Sequence, residues 1–264
     1  MEAYYIQRYL YCAFFALSMY WALAAQVSAE QTIQISASEA PPYSSESVVE
    51  YGYNNHVIQC AFKQQDISVE FVFMPWSRAY KGTMEGKFPV SSYWYFDPKH
   101  EKNFLISDPI SNERIVFFRR KTQRVNQWAS LADFSKLRLG LTRGYTYTTE
   151  IWDYAKANSF YFSVVNSDTQ NLKMLLLDRI DVFPVEEIVG WYILNNSFAK
   201  EQVNLIETMV PPVMFKTGHL LFSKKLSNSK ALLQSFNKGL EKCREQGILQ
   251  KYAENLTLGF YKKK

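Results

Sequence analysis

Cysteine, histidine and glycine are scarce in this chain of 264 residues, which has three cysteines, three histidines and ten glycines. The histidines, His56, His100 and His219, lie far apart in the sequence. No group of residues therefore has the spacing of a metal site, and we predict neither a metal nor another cofactor. Internal repeats and low-complexity segments are also missing, which excludes solenoids and disordered linkers.

Short catalytic motifs are absent too. Neither G-x-S-x-G nor H-E-x-x-H occurs in the chain. Residues 82–87 (GTMEGK) are one residue short of a phosphate-binding P-loop, and Phe88 occupies the place of the hydroxyl residue of that loop. These absences argue against an enzyme.

Positive charge is only mildly in excess. The chain has 30 Lys and Arg against 25 Asp and Glu, for a formal net charge of +5. The surplus is scattered, with small clusters at residues 119–121 and 262–264. A nucleic-acid interface needs a denser basic stripe, so no nucleic-acid partner is predicted.

A long hydrophobic run occurs near the N-terminus, at residues 10–25 (LYCAFFALSMYWALAA). This run is shorter than the roughly 20 residues that a spanning helix needs. Small residues follow at Val27, Ser28 and Ala29, which is the order of a secretory signal. We predict a signal peptide at 1–29, cleavage near Ala29 and export to the periplasm; a permanent anchor is the weaker alternative.

Two cysteines remain after this cleavage, Cys60 and Cys243. An oxidising compartment permits a bridge between them. Each lies in a helical apolar pattern, where free buried cysteine is a common core residue. Because the sequence does not establish bridging geometry, the pattern favours two free cysteines and leaves the bridge open.

Strand and helix patterns alternate along the exported chain, first in one series and then in a second. Such alternation is typical of α/β folds with mixed sheets flanked by helices, and two series indicate two packed lobes. In such sheets, ligands lie beyond the carboxyl ends of strands. The predicted strands are 31–38, 69–74, 88–95, 113–118, 137–141, 160–165, 179–183 and 218–223, and the predicted helices are 54–65, 76–84, 147–157 (opened by Gly144), 169–177, 188–195, 230–245 and 248–255.

Six local signatures follow one another in a fixed order: PPY at 41–43, PWSRA at 75–79, SDPI at 107–110, GLTRGY at 140–145, DRID at 178–181 and GIL at 247–249. In this order the exported chain resembles the family 3 periplasmic solute-binding proteins, the polar-amino-acid receptors of ABC importers.

The resemblance implies a two-lobed type II periplasmic-binding-protein fold. Lobe 1 would comprise 30–117 and 216–264, lobe 2 would comprise 118–215, and the hinge crossovers would lie near 115–119 and 213–220. It also implies a monomer that captures a small polar ligand by lobe closure and delivers it to the membrane permease of an ABC importer. The alternatives are a sensing subunit of a membrane receptor, or a periplasmic dehydratase or lyase on the same fold.

Aromatic side chains are the first candidates for the ligand site. Tyr43 and Trp76 follow strand ends and match family positions that pack the ligand, although Trp76 is also suited to a core position. Ser92 belongs to the family stretch that contacts the ligand ammonium. In the aromatic run that follows, either Tyr93 and Tyr95 or Trp94 and Phe96 face the ligand, and we favour Trp94.

Charged side chains complete the predicted site. The family places a carboxylate-binding Arg where this chain has His100, which is also suited to an ordinary exposed loop. Either Arg78 or Arg143 replaces that Arg, or the ligand lacks an α-carboxylate. Tyr145 follows Arg143 near a predicted helix start. The free backbone N–H groups of such a helix start suit either anion binding or a capping side chain.

Glu186 stands at the position where the family has an acid for the ligand ammonium. Glu187 is the alternative if the register is shifted by one residue. Both acids would also be stable as solvent-facing residues at a helix start.

Overall fold

The structure is a computed structural model that describes residues 31–125, 127–143, 145, 147–157 and 161–264. The predicted signal peptide at 1–29 and the predicted helix start at Gly144 lie outside these residues. In the described part of the chain, no helix combines the length and apolar character needed to cross a bilayer.

Strands form where β-branched and aromatic residues alternate with smaller or polar ones, as in Gln31–Ala37, where every second side chain from Ile33 is buried. The described strands are β1 (Gln31–Ala37), β2 (Ile67–Phe73), β3 (Val90–Tyr95), β4 (Phe104–Ile106), β5 (Ser111–Arg120), β6 (Leu139–Thr142), β7 (Phe162–Val165), β8 (Val182–Glu186), β9 (Ile206–Thr208) and β10 (Met214–Ser223).

These strands form one mixed sheet in the order β2-β1-β3-β10-β5-β8-β6-β7, with β4 paired to β10 and β9 paired to β5. β1 is parallel to β3, and β6 is parallel to β7 and β8. β10 is antiparallel to β3 and β5, and β5 is antiparallel to β8. The parallel strands therefore lie on either side of a central antiparallel part.

The two central strands, β5 and β10, change partners along their length. β5 pairs with β10 from Ser111 to Ile115 and with β8 from Ile115 to Arg119. β10 pairs with β5 from Met214 to Gly218, and then with β3. Ile115 therefore marks the point where β5 passes from one half of the sheet to the other.

Helices flank the sheet, and their apolar positions recur at helical spacing on the buried side. Among the described residues, short 3-10 helices occur at Val49–Tyr51, Pro98–Lys102 and Leu131–Phe134. The α-helices of the described chain are α1 (Tyr53–Lys63), α2 (Trp76–Met84), α3 (Thr149–Ala157), α4 (Asp168–Leu176), α5 (Glu187–Ser197), α6 (Lys200–Val203), α7 (Ser229–Glu245) and α8 (Ile248–Thr257).

Helices α1 and α7 lie in close contact. A Cβ atom at Gly239 of α7 would overlap the backbone of Ala61 in α1, so glycine is required for this approach. The same helices are joined by a disulfide between Cys60 and Cys243, whose Cα atoms are 6.5 Å apart. The expectation of two free cysteines was therefore wrong, because helix packing brings residues 183 positions apart to bridging distance.

Buried apolar side chains form three clusters. One uses residues from Ile33 to Ile110 and from Leu220 to Tyr261, packed between the first strands and helices α1 and α7. The other two use residues between Val116 and Met209, around α4 and α5 in one and α3 in the other. The first cluster is thus built from both ends of the described chain, and the other two from its middle.

The predicted strand at 179–183 begins later than expected, at Val182. Asp178 has a left-handed φ of 56°, which interrupts extended structure. Asp181 is buried, and its carboxylate accepts hydrogen bonds from Gln123 and, through both oxygens, from Arg138. This ionic network holds the segment in a turn before the strand starts.

Candidate functional site

Two buried carboxyl groups lie where β5 changes partners. Glu186, the last residue of β8, is directly opposite Ile115 of β5. Glu113 precedes Ile115 by two residues, so Glu113 and Glu186 lie on the same face of neighbouring strands, on a diagonal. Their side chains are 1% and 5% exposed. The sheet thus holds two acids close together without access to bulk water.

Glu113 is held by hydroxyl groups. One of its oxygens accepts a hydrogen bond from the hydroxyl of Tyr95 (2.6 Å), and the other accepts one from Ser111 (2.9 Å). Burial raises the pKa of Glu113 to about 7, although these bonds and the nearby ammonium of Lys216 favour the charged form. Glu113 therefore gains and loses its proton near neutral pH.

Glu186 caps helix α5. Its carboxylate accepts a hydrogen bond from the backbone N–H of Val189 (2.8 Å) and lies in hydrogen-bonding range of the Tyr43 hydroxyl. Burial, followed by the charge of Glu113, raises the pKa of Glu186 to about 8. Each acid thus opposes ionisation of the other.

Tyrosine rings surround the two acids. Tyr43, Tyr93 and Tyr95, which we call the tyrosine wall, pack with ring centroids 6.0 Å apart for the first pair and 6.3 Å for the second. Burial raises the pKa of each far above its usual value, so all three remain neutral donors. Gly218 lies between Ser111 and the wall, since a Cβ atom there would overlap the hydroxyl oxygen of Ser111 and approach the ring of Tyr93 to 3.0 Å.

A third acid lies behind Tyr145, on the side of β6. Asp168 accepts hydrogen bonds from Tyr145 and from Thr142, both at 2.6 Å. Burial raises the pKa of Asp168, which these bonds partly oppose. Tyr145 is near enough to Tyr93 to affect its ionisation, which places Tyr145 beside the tyrosine wall.

Trp76, at the start of α2, is 36% exposed and lies edge-on to Tyr93, with centroids 6.1 Å apart. It extends the tyrosine wall toward solvent. Of the residues predicted for the site, Tyr43, Trp76, Tyr145 and Glu186 are thus brought together by the fold.

Three other predicted residues do not contact the two acids directly, although Trp94 packs edge-on against Trp76, with ring centroids 5.0 Å apart. Ser92 is fully buried and donates a hydrogen bond to Asn55 of α1 (2.6 Å). Trp94 and His100 pack against each other, with centroids 6.0 Å apart, in an aromatic cluster that also contains Tyr80. Burial lowers the pKa of His100, so this imidazole is neutral at pH 7.

The two predicted arginines make no hydrogen bond to Glu113 or Glu186 among the described contacts. Arg78 is exposed on α2 and makes no ion pair within the described residues. Arg143 is exposed, donates to the Asn166 side chain (3.0 Å), and borders an open groove of about 440 Å³ together with Lys173 and Arg179. The structure brings neither guanidinium to Glu113 or Glu186.

Glu113 was missed by the sequence analysis, and Tyr93 and Tyr95 were given only as the alternative to Trp94. A signal for Glu113 was present, because it shares the strand face of Ile115 and Phe117, which are buried apolar residues. An acid on the buried face of a strand needs partners, which marks it as a site candidate.

The mixed sheet with two crossing strands and a polar cluster at their crossing is the two-lobed type II fold of periplasmic binding proteins. The chain belongs to family 3 of the bacterial extracellular solute-binding proteins, whose family model matches residues 33–257. No protein of curated function matches the sequence.

Several solved structures are similar to this chain. A histidine kinase sensor domain with similarity to periplasmic binding proteins has a TM-score of 0.64 at 16% identity, covering 86% of this chain and 96% of its own. An ancestral arginine-binding protein bound to arginine has a TM-score of 0.63 at 18% identity, with coverages of 85% and 97%. The L-cystine solute receptor of Neisseria gonorrhoeae has a TM-score of 0.63 at 18% identity, with coverages of 89% and 95%. At these identities the similarity establishes the fold alone.

Proposed function

We propose that this chain captures a small polar ligand, an amino acid or a related amine or acid, between its two lobes and delivers it to the membrane permease of an ABC importer. The observation that supports this proposal is the polar cluster at the crossing of the sheet. Its members come from both sides of Ile115: Tyr43 and Glu113 from one, Glu186 and Tyr145 from the other.

The free energy of ligand binding would drive closure of the two lobes. A ligand that contacts groups on both sides of the crossing binds the closed form more tightly than the open form, and so shifts the equilibrium to closure. β5 and β10 are the segments suited to act as the hinge, because β5 pairs with strands of both halves of the sheet and β10 pairs with β5 up to Ile115, where β5 changes halves. The lobes would be 30–117 with 216–264, and 118–215.

The remaining parts of the proposal follow from the same role. The protein would be exported to the periplasm after cleavage near Ala29, act as a monomer and release its ligand unchanged. Mass spectrometry of ligand recovered after incubation with the protein tests the last point, and a changed mass would indicate an enzyme.

Small-angle scattering with a thermal-shift screen of amino acids, amines and small acids tests the clamp. A ligand present at one hundred times its Kd stabilises the folded protein by about 2.7 kcal/mol and should also reduce the radius of gyration. Glu186→Gln should reduce both effects. Glu187→Gln is the matched control, since Glu187 pairs instead with Arg114. Binding without compaction would refute the clamp.

A sensing role is the second candidate, and the similarity to a histidine kinase sensor domain favours it. Deletion of the gene separates the two roles. Loss of ligand uptake by cells supports transport, whereas intact uptake with a lost transcriptional response to the ligand supports sensing.

A further inference from the structure

Acidic groups outnumber cations around the tyrosine wall. Glu113 and Glu186 lie on one face of neighbouring strands and are almost fully buried. Lys216 of β10 lies directly opposite Glu113 of β5. Its ammonium is 5.0 Å from the ring centroid of Tyr95. Lys216 already interacts with Glu113 and with Asp97, so the acids of this region exceed its positive charge.

A buried hydrogen-bond acceptor also points to a ligand. Asn54, the second residue of α1, is 0% exposed, and its side chain is directed at Glu113. Neither the amide oxygen nor the amide nitrogen of Asn54 has a hydrogen-bond partner among the described residues, and the nitrogen is the group that favours the charged form of Glu113. A buried acceptor without a donor is costly, and an ammonium group placed beside Glu113 would supply that donor.

No histidine or arginine acts on Glu113 or Glu186 among the described contacts. His100 is neutral and packs within the aromatic cluster of Trp94. Arg78 is exposed, and Arg143 is bonded to Asn166 beside a separate groove. A ligand carboxylate placed between Glu113 and Glu186 would meet two acids and no free guanidinium of the described chain, which is unfavourable.

We infer that the ligand of this site is a small organic ammonium ion without a carboxylate, an aliphatic diamine or monoamine, whose charge is held by Glu113 and Glu186. The inference rests on the proposed function, because it names the ligand of the proposed clamp. The tyrosine wall supplies aromatic faces for the cation and its aliphatic part, and Asn54 accepts one ammonium hydrogen.

Matched pairs of probes that differ only in the α-carboxylate test the inference. These are 1,4-diaminobutane against L-ornithine, 1,5-diaminopentane against L-lysine, and agmatine against L-arginine, measured by calorimetry with the exported form of the chain at pH 8. We expect at least one amine to bind tenfold or more tightly than its amino acid. Equal or tighter binding of the amino acid in every pair, or no binding of any amine, overturns the inference.

Variants then test which side chains bind the ammonium group of the ligand. Glu113→Gln and Glu186→Gln should each weaken amine binding about 10- to 100-fold, the usual effect of losing a charged hydrogen-bond partner. Glu85→Gln, on the exposed end of α2, is the control and should leave affinity unchanged. Lys216→Met should tighten amine binding, because it removes a like charge. If it weakens binding instead, Lys216 contacts the ligand and the inference fails.

Circular dichroism checks that all of these variants fold. A further variant, Asn54→Asp, adds a carboxylate beside Glu113. It should tighten amine binding at pH 8, and weaker binding contradicts the inference.

The inference and the proposed function fail differently. An amino acid that binds with compaction overturns only the inference, whereas an amine that binds without compaction overturns the clamp.

Discussion

Replacing Glu113 by glutamine should stabilise the protein without ligand at high pH and have little effect on its pH dependence below pH 5. Burial raises the pKa of Glu113 from 4.5 to about 7 on folding. At ~1.4 kcal/mol for each pH unit, ionising this side chain in the folded state costs about 3 kcal/mol. Glutamine keeps the shape of the side chain and never ionises.

The direction follows from the proton balance of the two states. Below pH 4.5, Glu113 is protonated in both the folded and the unfolded chain, so ionisation contributes nothing. Between pH 4.5 and about 7 the unfolded chain ionises first, and the stability of the wild type falls as pH rises. The loss is complete above the folded pKa. Removing the charge of Glu113 also favours ionisation of Glu186, which acts in the same direction.

Thermal unfolding monitored by circular dichroism at pH 5 and pH 9 measures this effect. The Tm of the variant minus that of the wild type should be higher at pH 9 by roughly 6–12 °C, from roughly 2–4 °C per kcal/mol for a chain of this size. The variant also loses hydrogen bonds that Glu113 accepts from Tyr95 and Ser111, and this loss changes its Tm by the same amount at both pH values. Glu85→Gln is the control and should show no such difference. An equal Tm difference at both pH values would refute the burial of an ionisable Glu113.

Three further perturbations address other parts of the fold. The double variant Cys60→Ser and Cys243→Ser should lose about 2–5 kcal/mol, and a reductant should lower the Tm of the wild type but not that of the variant; insensitivity of the wild type would contradict the bridge. Gly218→Ala should weaken binding of the ligand found in the screen at least roughly tenfold, because the added methyl displaces the Ser111 hydroxyl that donates to Glu113 and crowds the ring of Tyr93; calorimetry measures this, and unchanged affinity would show that these groups are not used. Asp181→Asn should cost about 3 kcal/mol in denaturant unfolding at pH 7, whereas the exposed Asp178→Asn should cost less than about 1 kcal/mol; similar losses would mean that the buried network is not the stabilising element.

The pH dependence that Asp181 gives to stability has the opposite sign to that of Glu113. Although burial acts to raise it, hydrogen bonds from Arg138 hold the pKa of Asp181 below its usual value. The stability that Asp181 contributes is present above pH 3.8 and is lost as pH falls through its lower folded pKa. Glu113→Gln and Asp181→Asn therefore report on two different buried regions, and their effects on stability change with pH in opposite directions.

Much of the local structure could be predicted, because its signals are local. The helix over Trp76–Met84 follows from apolar spacing and a terminating Gly86, and the strand Gln31–Ala37 follows from alternation. Short edge strands such as Phe104–Ile106 and Ile206–Thr208 were missed, since three residues carry too little periodicity. Their existence depends on the neighbouring strand that supplies hydrogen bonds.

The candidate site was predictable only in part. The fold places Tyr43 and Glu186 within hydrogen-bonding range; Tyr43 was named from the end of a predicted strand, and Glu186 from the family resemblance. The choice between Trp94 and the neighbouring tyrosines depended on strand register, and a shift of one residue exchanges the two faces. Pairing of β3 with β10 sets that register and turns Tyr95 toward Glu113.

The α/β class, the order of elements, the family resemblance and the lack of catalytic or metal-binding motifs could be inferred from the amino-acid sequence. These properties depend on residue type and short spacing. The folded chain was needed to show that Cys60 bonds to Cys243, that Glu113 lies beside Glu186, and that no histidine or arginine acts on these two acids among the described contacts. Such contacts join residues distant in sequence, and their energy comes from burial and distance in the folded chain.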